Sequence, residues 1–209
     1  MLNELLHRYP QLNICEEELK ATVTTLIACY QRGGKLLLCG NGGSCADCDH
    51  IVGELMKGFH KKRPLSNTQK ATLRTNAPIL EEELIEGLQG GLPAISLSSL
   101  TALNSAVCND TDPRLVYAQP LLALGREGDV LLAISTSGNA ANVVAAAQVA
   151  KGLGLTVIAL TGQDGGALAT VADIAVKAPE TATYRVQEMH LPIYHFLCSA
   201  VEDALFPTA

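Results

Sequence analysis

The sequence predicts an α/β fold, a three-layer αβα sandwich built around a doubly wound parallel sheet of about five strands. Three observations carry this. Runs such as Leu36–Cys39, Asp129–Ile134 and Leu155–Leu160 are apolar almost throughout, which suits strands covered on both faces. They alternate with segments of helical period, of which Ala140–Lys151 is the most regular. Glycine, serine or asparagine follows the strands, so the chain turns from strand into helix. Crossovers between parallel strands should be right-handed. With 209 residues, 48% hydrophobic and only 4% aromatic, the chain fits a single domain over 1–209 with an aliphatic core.

Met1–Tyr9 reads as a short amphipathic helix stopped by Pro10, and Ile14–Gln31 as a longer one ended by Gly33 and Gly34, so residues 1–33 are N-terminal helices. Leu36–Cys39 is the first strand. A helix follows from Ser44 and fades near Gly58–Pro64. Residues 65–91 form an inserted passage whose first half, LSNTQKATLRTNA, is polar and aperiodic. Its second half, Pro78–Gln89, reads as a helix with proline in the first turn and acids early. A lid, an interface arm and a plain excursion all fit this passage, the excursion being the default. Ala94–Leu97 is a strand, Ser99–Val107 a helix, and Cys108–Leu115 a polar loop leading into a helix that ends near Gly125. After the strand at 129–134 and the helix at 140–151 come a strand at 155–160 and a short helix from Asp164-Gly165-Gly166. A last strand at Ala172–Val176 precedes a helical tail over Thr183–Ala204.

Chemistry concentrates in Lys35–Glu54. Gly40, Gly42 and Gly43, with Asn41 among them, let the backbone take positive φ and admit a ligand to the main chain, and Ser44 stands at the expected N-cap. The first N–H groups of the helix that follows lack partners and carry the positive end of its dipole, which makes the turn an anion site. G-x-G-x-x-G is not matched, and the strand at 94–97 ends in serines rather than an acid, so a phosphate monoester fits better than a dinucleotide. Ser135, Thr136 and Ser137 hold the equivalent place after a later strand, so two helix starts can converge on one bound group. His50 and Glu54 share one helix face as a base or metal-ligand pair. Each feature has a plainer reading, as a tight connection or a solvated pair; together they mark a site.

Other classes fit poorly. A net charge of -6, with no basic cluster beyond His60–Arg63, argues against a nucleic-acid partner, and that run reads as a solvated helix end. The N-terminus lacks signal-peptide character and no stretch has membrane length, so a cytoplasmic protein without a membrane partner is expected. Seven cysteines, mostly within apolar patterns, suit reduced thiols. Cys45-x-x-Cys48 lacks a second pair to complete a structural zinc site and reads as two small core residues on one helical turn.

CGNGGS followed by D-x-x-H-x-x-x-E, then EGDVLLAISTSGN, TGxDGG and RVQEMHLPIYH, together resemble the sugar isomerase (SIS) domain family and within it the phosphoheptose isomerase branch. The resemblance covers nearly the whole chain except 65–91. It implies a homotetramer with active sites between subunits and one zinc per subunit. The implied reaction interconverts sedoheptulose 7-phosphate and D-glycero-D-manno-heptose 7-phosphate, an aldose-ketose isomerisation through an enediol. Carried over by position, phosphate and sugar contacts fall on Asn41, Gly42, Gly43, Ser44, Asn109, Asp110, Ser135, Thr136 and Ser137. Metal ligands fall on His50, Glu54, Gln187 and His195, with Glu54 and His195 as the acid/base pair.

Three departures stand out. Ala140 replaces a serine usual after STSGN, Pro192 interrupts the last helix between Gln187 and His195, where a kink is expected, and the 65–91 passage is longer than the family's connection. Non-catalytic relatives that regulate replication initiation, whose tails LCSAVEDALFP resembles, are the alternative, as is a sugar-phosphate sensor. The presence of both Glu54 and His195 favours the enzyme. A core histidine is the plainer reading of His195, and for His190 it is the reading adopted.

Overall fold

The computed structural model describes residues 1–206; Pro207, which closes the tail motif, lies outside them. In chain order the elements are α1 (Leu2–Arg8), α2 (Glu16–Gln31), β1 (Leu36–Gly40), α3 (Gly43–Met56), α4 (Asn67–Asn76), α5 (Glu82–Gly87), β2 (Ala94–Ser96) and α6 (Thr101–Asp110). There follow α7 (Ala118–Leu124), β3 (Val130–Ser135), α8 (Ala141–Gly152), β4 (Thr156–Thr161), α9 (Gly166–Val171), β5 (Ile174–Lys177) and α10 (Thr183–Leu205). The strands form one five-stranded sheet in the order β2-β1-β3-β4-β5, and every pairing is parallel.

Alternation along the strands explains the three layers. Leu36 and Leu38 of β1, with Val130, Leu132 and Ile134 of β3, point into a core shared with α2, α3 and α10. Leu37, Cys39, Leu131 and Ala133 point the other way, against Leu121 of α7 and the Val143, Ala146 and Ala150 stripe of α8. Both sets are aliphatic, which is why these strands read as unbroken apolar runs. β1 and β3 lie side by side, with Gly40 opposite Ile134, and the order of winding reverses between them. The switch point of the sheet therefore falls between the two turns that the sequence marks as anion sites.

Several expectations need correction. The N-cap of α3 is Gly42, at φ +55°, and Ser44 is buried inside the first turn, because Gly42 rather than a serine can adopt that backbone. The stretch expected to be aperiodic contains α4, started by a reciprocal capping box between Ser66 and Gln69. No residue of α4 is buried, so an apolar stripe never formed that a periodicity search could find. Ion pairs from Lys70 to Glu86 (2.5 Å) and from Arg74 to Glu82 hold it against α5, which is shorter than the Pro78–Gln89 expectation. The excursion closes at its root, where Pro64 bridges Gln89 and the Gly90 amide donates to Arg63 O (2.6 Å). α6 extends to Asp110, into the expected loop. All seven cysteines are free; Cys48 is core, whereas Cys45 is partly exposed.

Candidate active site

The anion cradle lies at the carboxyl ends of β1 and β3. Asn41 and Asn142, the latter in the first turn of α8, exchange side-chain amide bonds of 2.9 and 3.0 Å, tying the two helix starts together. The Tyr117 hydroxyl reaches both Gly40 O (2.7 Å) and Asn41 Oδ1 (2.8 Å) and fixes the turn from below. Gly42 and Gly43 follow. A Cβ at Gly43 would run into the Gln187 amide, so the bare backbone there lets that side chain lie against the turn. On the β3 side Ser135 is buried, and Ser137 Oγ accepts from the Asn139 amide (3.2 Å). Gly138, at φ +66°, lets Ser135–Asn139 fold tightly onto Gly165 and Gly166. Ala140 is the N-cap of α8 without a side-chain cap. Asn109 and Asp110, at the exposed end of α6, bond to one another (2.8 Å), and among the described residues no hydrogen bond joins them to the cradle.

The second half of the site is built by α3 against α10. Nε2 of His50 stands 3.2 Å from Glu54 Oε1, and Lys57 Nζ is 3.2 Å from Glu54 Oε2. The His195 ring packs edge-on to His50 with centroids 5.1 Å apart, and Phe59 covers its other side at 5.7 Å. Nε2 of His195 is buried without a partner. Burial, reinforced by the neighbouring His50, holds the His195 imidazole below the usual histidine range, with Glu54 pulling the other way. Tyr194 touches both elements, its hydroxyl lying 3.0 Å from His50 Nδ1 and 3.2 Å from Asp47 Oδ1. His195 also borders a cleft of about 680 Å³ between α1, Phe59–Lys61 and α10, and no cradle residue lines that cleft.

Of the four ligands that the resemblance implies, the structure sets His50 beside Glu54 and packs His195 edge-on against His50. It does not bring Gln187 to them: its amide lies against Gly43, and along α10 it is roughly 12 Å of axial rise from His195. Asn142, Tyr117 and Tyr194 escaped notice; only Asn142, in the first turn after STSGN, carried a local signal. Arg63, expected in a solvated run, is fully buried beneath the site, where its guanidinium bonds Leu55 O (2.7 Å), Glu54 O (3.3 Å) and Glu202 (2.7 Å). The guanidinium thus supplements the last carbonyls of α3, of which Leu55 O also accepts from the Leu92 amide (2.9 Å).

Among the described residues no group of three His, Cys, Asp or Glu side chains is drawn together closely enough to hold a metal ion. The donor chemistry nevertheless suits zinc, with two imidazoles and a carboxylate. Two ligand atoms each about 2.1 Å from a tetrahedral zinc lie about 3.4 Å apart; the 3.2 Å gap from His50 to Glu54 is close to that, and His195 Nε2, buried without a partner, belongs to a ring packed against His50.

A family model described as the SIS domain matches residues 3–95 and 89–162. The chain is 37% identical over 194 residues to the phosphoheptose isomerase of Shewanella oneidensis, covering 91% of this chain and 85% of that protein. It is 36% identical over 194 residues to the one from Shewanella baltica, with the same coverage of 91% and 85%. Among solved structures it resembles the phosphoheptose isomerase of Neisseria gonorrhoeae, with a TM-score of 0.75, 31% identity and coverage of 96% of this chain and 94% of that one. A phosphoheptose isomerase from Francisella tularensis gives a TM-score of 0.75 at 29% identity, again covering 96% and 94%.

Proposed function

The chain belongs to the SIS domain family, in its phosphoheptose isomerase branch, and from that premise we propose that it interconverts sedoheptulose 7-phosphate and D-glycero-D-manno-heptose 7-phosphate. The observation that carries the proposal is the meeting of Glu54, His50 and His195 at one place on α3 and α10. Isomerisation moves a proton between C1 and C2 and another between the two oxygens, so it needs a base over the carbons and a second group at the oxygens. Glu54 takes the carbon-bound proton and returns it to the neighbouring carbon. His195, whose imidazole burial holds below the usual histidine range, accepts and returns the hydroxyl proton. The phosphate rests on the helix starts at Gly42–Ser44 and Ser135–Ser137, whose main-chain N–H groups and hydroxyls supply the donors an anion needs. Asn109 and Asp110 contact the sugar.

His50, Glu54 and His195 would hold the zinc, with Gln187 as fourth ligand once its amide turns from Gly43. Bound there, the ion would supply Lewis-acid polarisation to the sugar carbonyl. We further propose a cytoplasmic homotetramer with sites between subunits, which light scattering on the purified protein tests.

The decisive experiment follows sedoheptulose 7-phosphate by NMR with the purified protein and with Glu54→Gln. Turnover should fall by about 10²- to 10⁴-fold in the variant, while sugar phosphate still binds. Unchanged turnover would remove the base role from Glu54, and a wild-type protein that neither turns over nor takes zinc would favour the regulatory or sensor reading.

A further inference from the structure

The two turns of the cradle are joined at one point. β1 and β3 pair as far as Gly40 opposite Ile134. Beyond that register, the amide pair of Asn41 and Asn142 makes the only hydrogen bonds, among the described residues, between residues 41–43 and residues 136–142. The orientation of both amides follows from a donor that cannot change its role. The Val143 main-chain N–H donates to Ala140 O (3.0 Å) and to Asn142 Oδ1 (3.0 Å), and a reversed Asn142 amide would set its own N–H groups against that donor. Asn142 Oδ1 therefore faces Asn41 Nδ2 at 2.9 Å, and Asn142 Nδ2 faces Asn41 Oδ1 at 3.0 Å. Asn41 Oδ1 is thereby also turned to the Tyr117 hydroxyl, a group able to donate to it. Each side-chain NH2 uses one hydrogen on the pair, and among the described residues neither second N–H has a partner.

We propose that Asn142 is a positioning residue for the phosphate end of the substrate: its amide holds Asn41 in one orientation and sets the spacing between the starts of α3 and α8. Asn41 is exposed and Asn142 partly so. Neutral hydrogen bonds in such a place contribute little to folding, because water would serve each amide nearly as well. Their effect lies in where they hold the two turns, since an anion that takes donors from both helix starts needs both at once. The inference rests on the reading of the cradle as a phosphate site.

The test titrates inorganic phosphate into the full chain by isothermal calorimetry and measures turnover of sedoheptulose 7-phosphate in parallel. In Asn142→Ala phosphate should bind about 10-fold more weakly, the scale of one charge-assisted hydrogen bond out of place. KM should rise by about the same factor while kcat stays within about 2-fold, because the phosphate lies away from the reacting carbons. Asn142→Asp keeps the shape and the bond from Val143 but turns a second oxygen on Asn41 Oδ1, so it should weaken phosphate at least as much. Far-ultraviolet circular dichroism and thermal melts check that each variant keeps its fold. Phosphate affinity and KM unchanged in both variants, whatever happens to kcat, or a wild type that binds no phosphate, would overturn the proposal. Weaker phosphate binding by the variants of a protein that does not turn over the sugar would uphold the role of Asn142 and defeat the substrate reading alone.

Discussion

His190 and His195 sit five residues apart on α10 and meet opposite environments. Nε2 of His190 is 3.1 Å from the Thr161 carbonyl, so that nitrogen carries the proton and donates. Burial pushes its pKa down to about 4, against the pull of that carbonyl. The folded chain thus keeps His190 neutral where the unfolded chain would take a proton. Its contribution to stability is complete above the unfolded value near 6.5 and is lost as pH falls toward about 4, by roughly 3 kcal/mol in all. Urea unfolding at pH 7 and pH 4.5 should show that decline, and His190→Gln should flatten it at some cost at neutral pH. A variant that declines as steeply as wild type would place the acid sensitivity elsewhere. At this scale the sequence was legible wherever partners are near in the chain: His50 and Glu54 are one helical turn apart, and the glycines of the cradle announce a turn. Tyr194 and His50 are separated by 144 positions and Arg63 and Glu202 by 139, and no local pattern encodes such meetings.

Among elements, the segment between α3 and the insertion is organised by one buried ion pair. Arg63 and Glu202 have side-chain exposures of 0% and 1% and meet at 2.7 Å. Glu202 also accepts from the amides of Phe59 (2.8 Å), His60 (2.8 Å) and Lys61 (3.2 Å), while the Phe206 ring lies 4.5 Å from the guanidinium carbon. The pair thus clamps the end of α3, which carries Glu54, to α10, which carries His195. Removing one partner strands the other as a buried charge. Arg63→Met or Glu202→Leu should each lower unfolding free energy by about 3–5 kcal/mol, and the double variant should be less unstable than the sum of the two. Additive losses in urea titrations would show that the two act separately. The expectation of a solvated HKKR end failed at Arg63, while His60 and Lys62 are exposed, because charge is a guide to exposure only where no buried partner waits. α4 escaped for the reverse reason, being stabilised by its cap and by ion pairs rather than by burial, so hydrophobic period was silent.

For the whole molecule, the strand runs and their alternation with helices were enough to give a doubly wound sheet, because strands covered on both faces must be apolar throughout. The position of the switch point was visible only as two similar turns; their adjacency needed the strand order, which short-range patterns do not contain. The excursion at 65–91 stands apart from this core. Within α4 and α5 only Ile85 is buried, and the two chain ends meet at the Pro64–Gln89 bridge and the Gly90–Arg63 bond. Replacing residues 66–87 by a short glycine-serine turn should therefore leave the circular dichroism spectrum of the sheet and a cooperative thermal transition intact. Loss of that transition would mean the excursion is part of the folding unit. The placement of Tyr117 beneath the cradle and Tyr194 beside His50 has a practical corollary. The chain has five tyrosines and no tryptophan, so its intrinsic fluorescence is tyrosine emission, and two of the emitters touch Asn41 and His50 of the proposed site. The protein carries its own optical probe of occupancy, readable without a label.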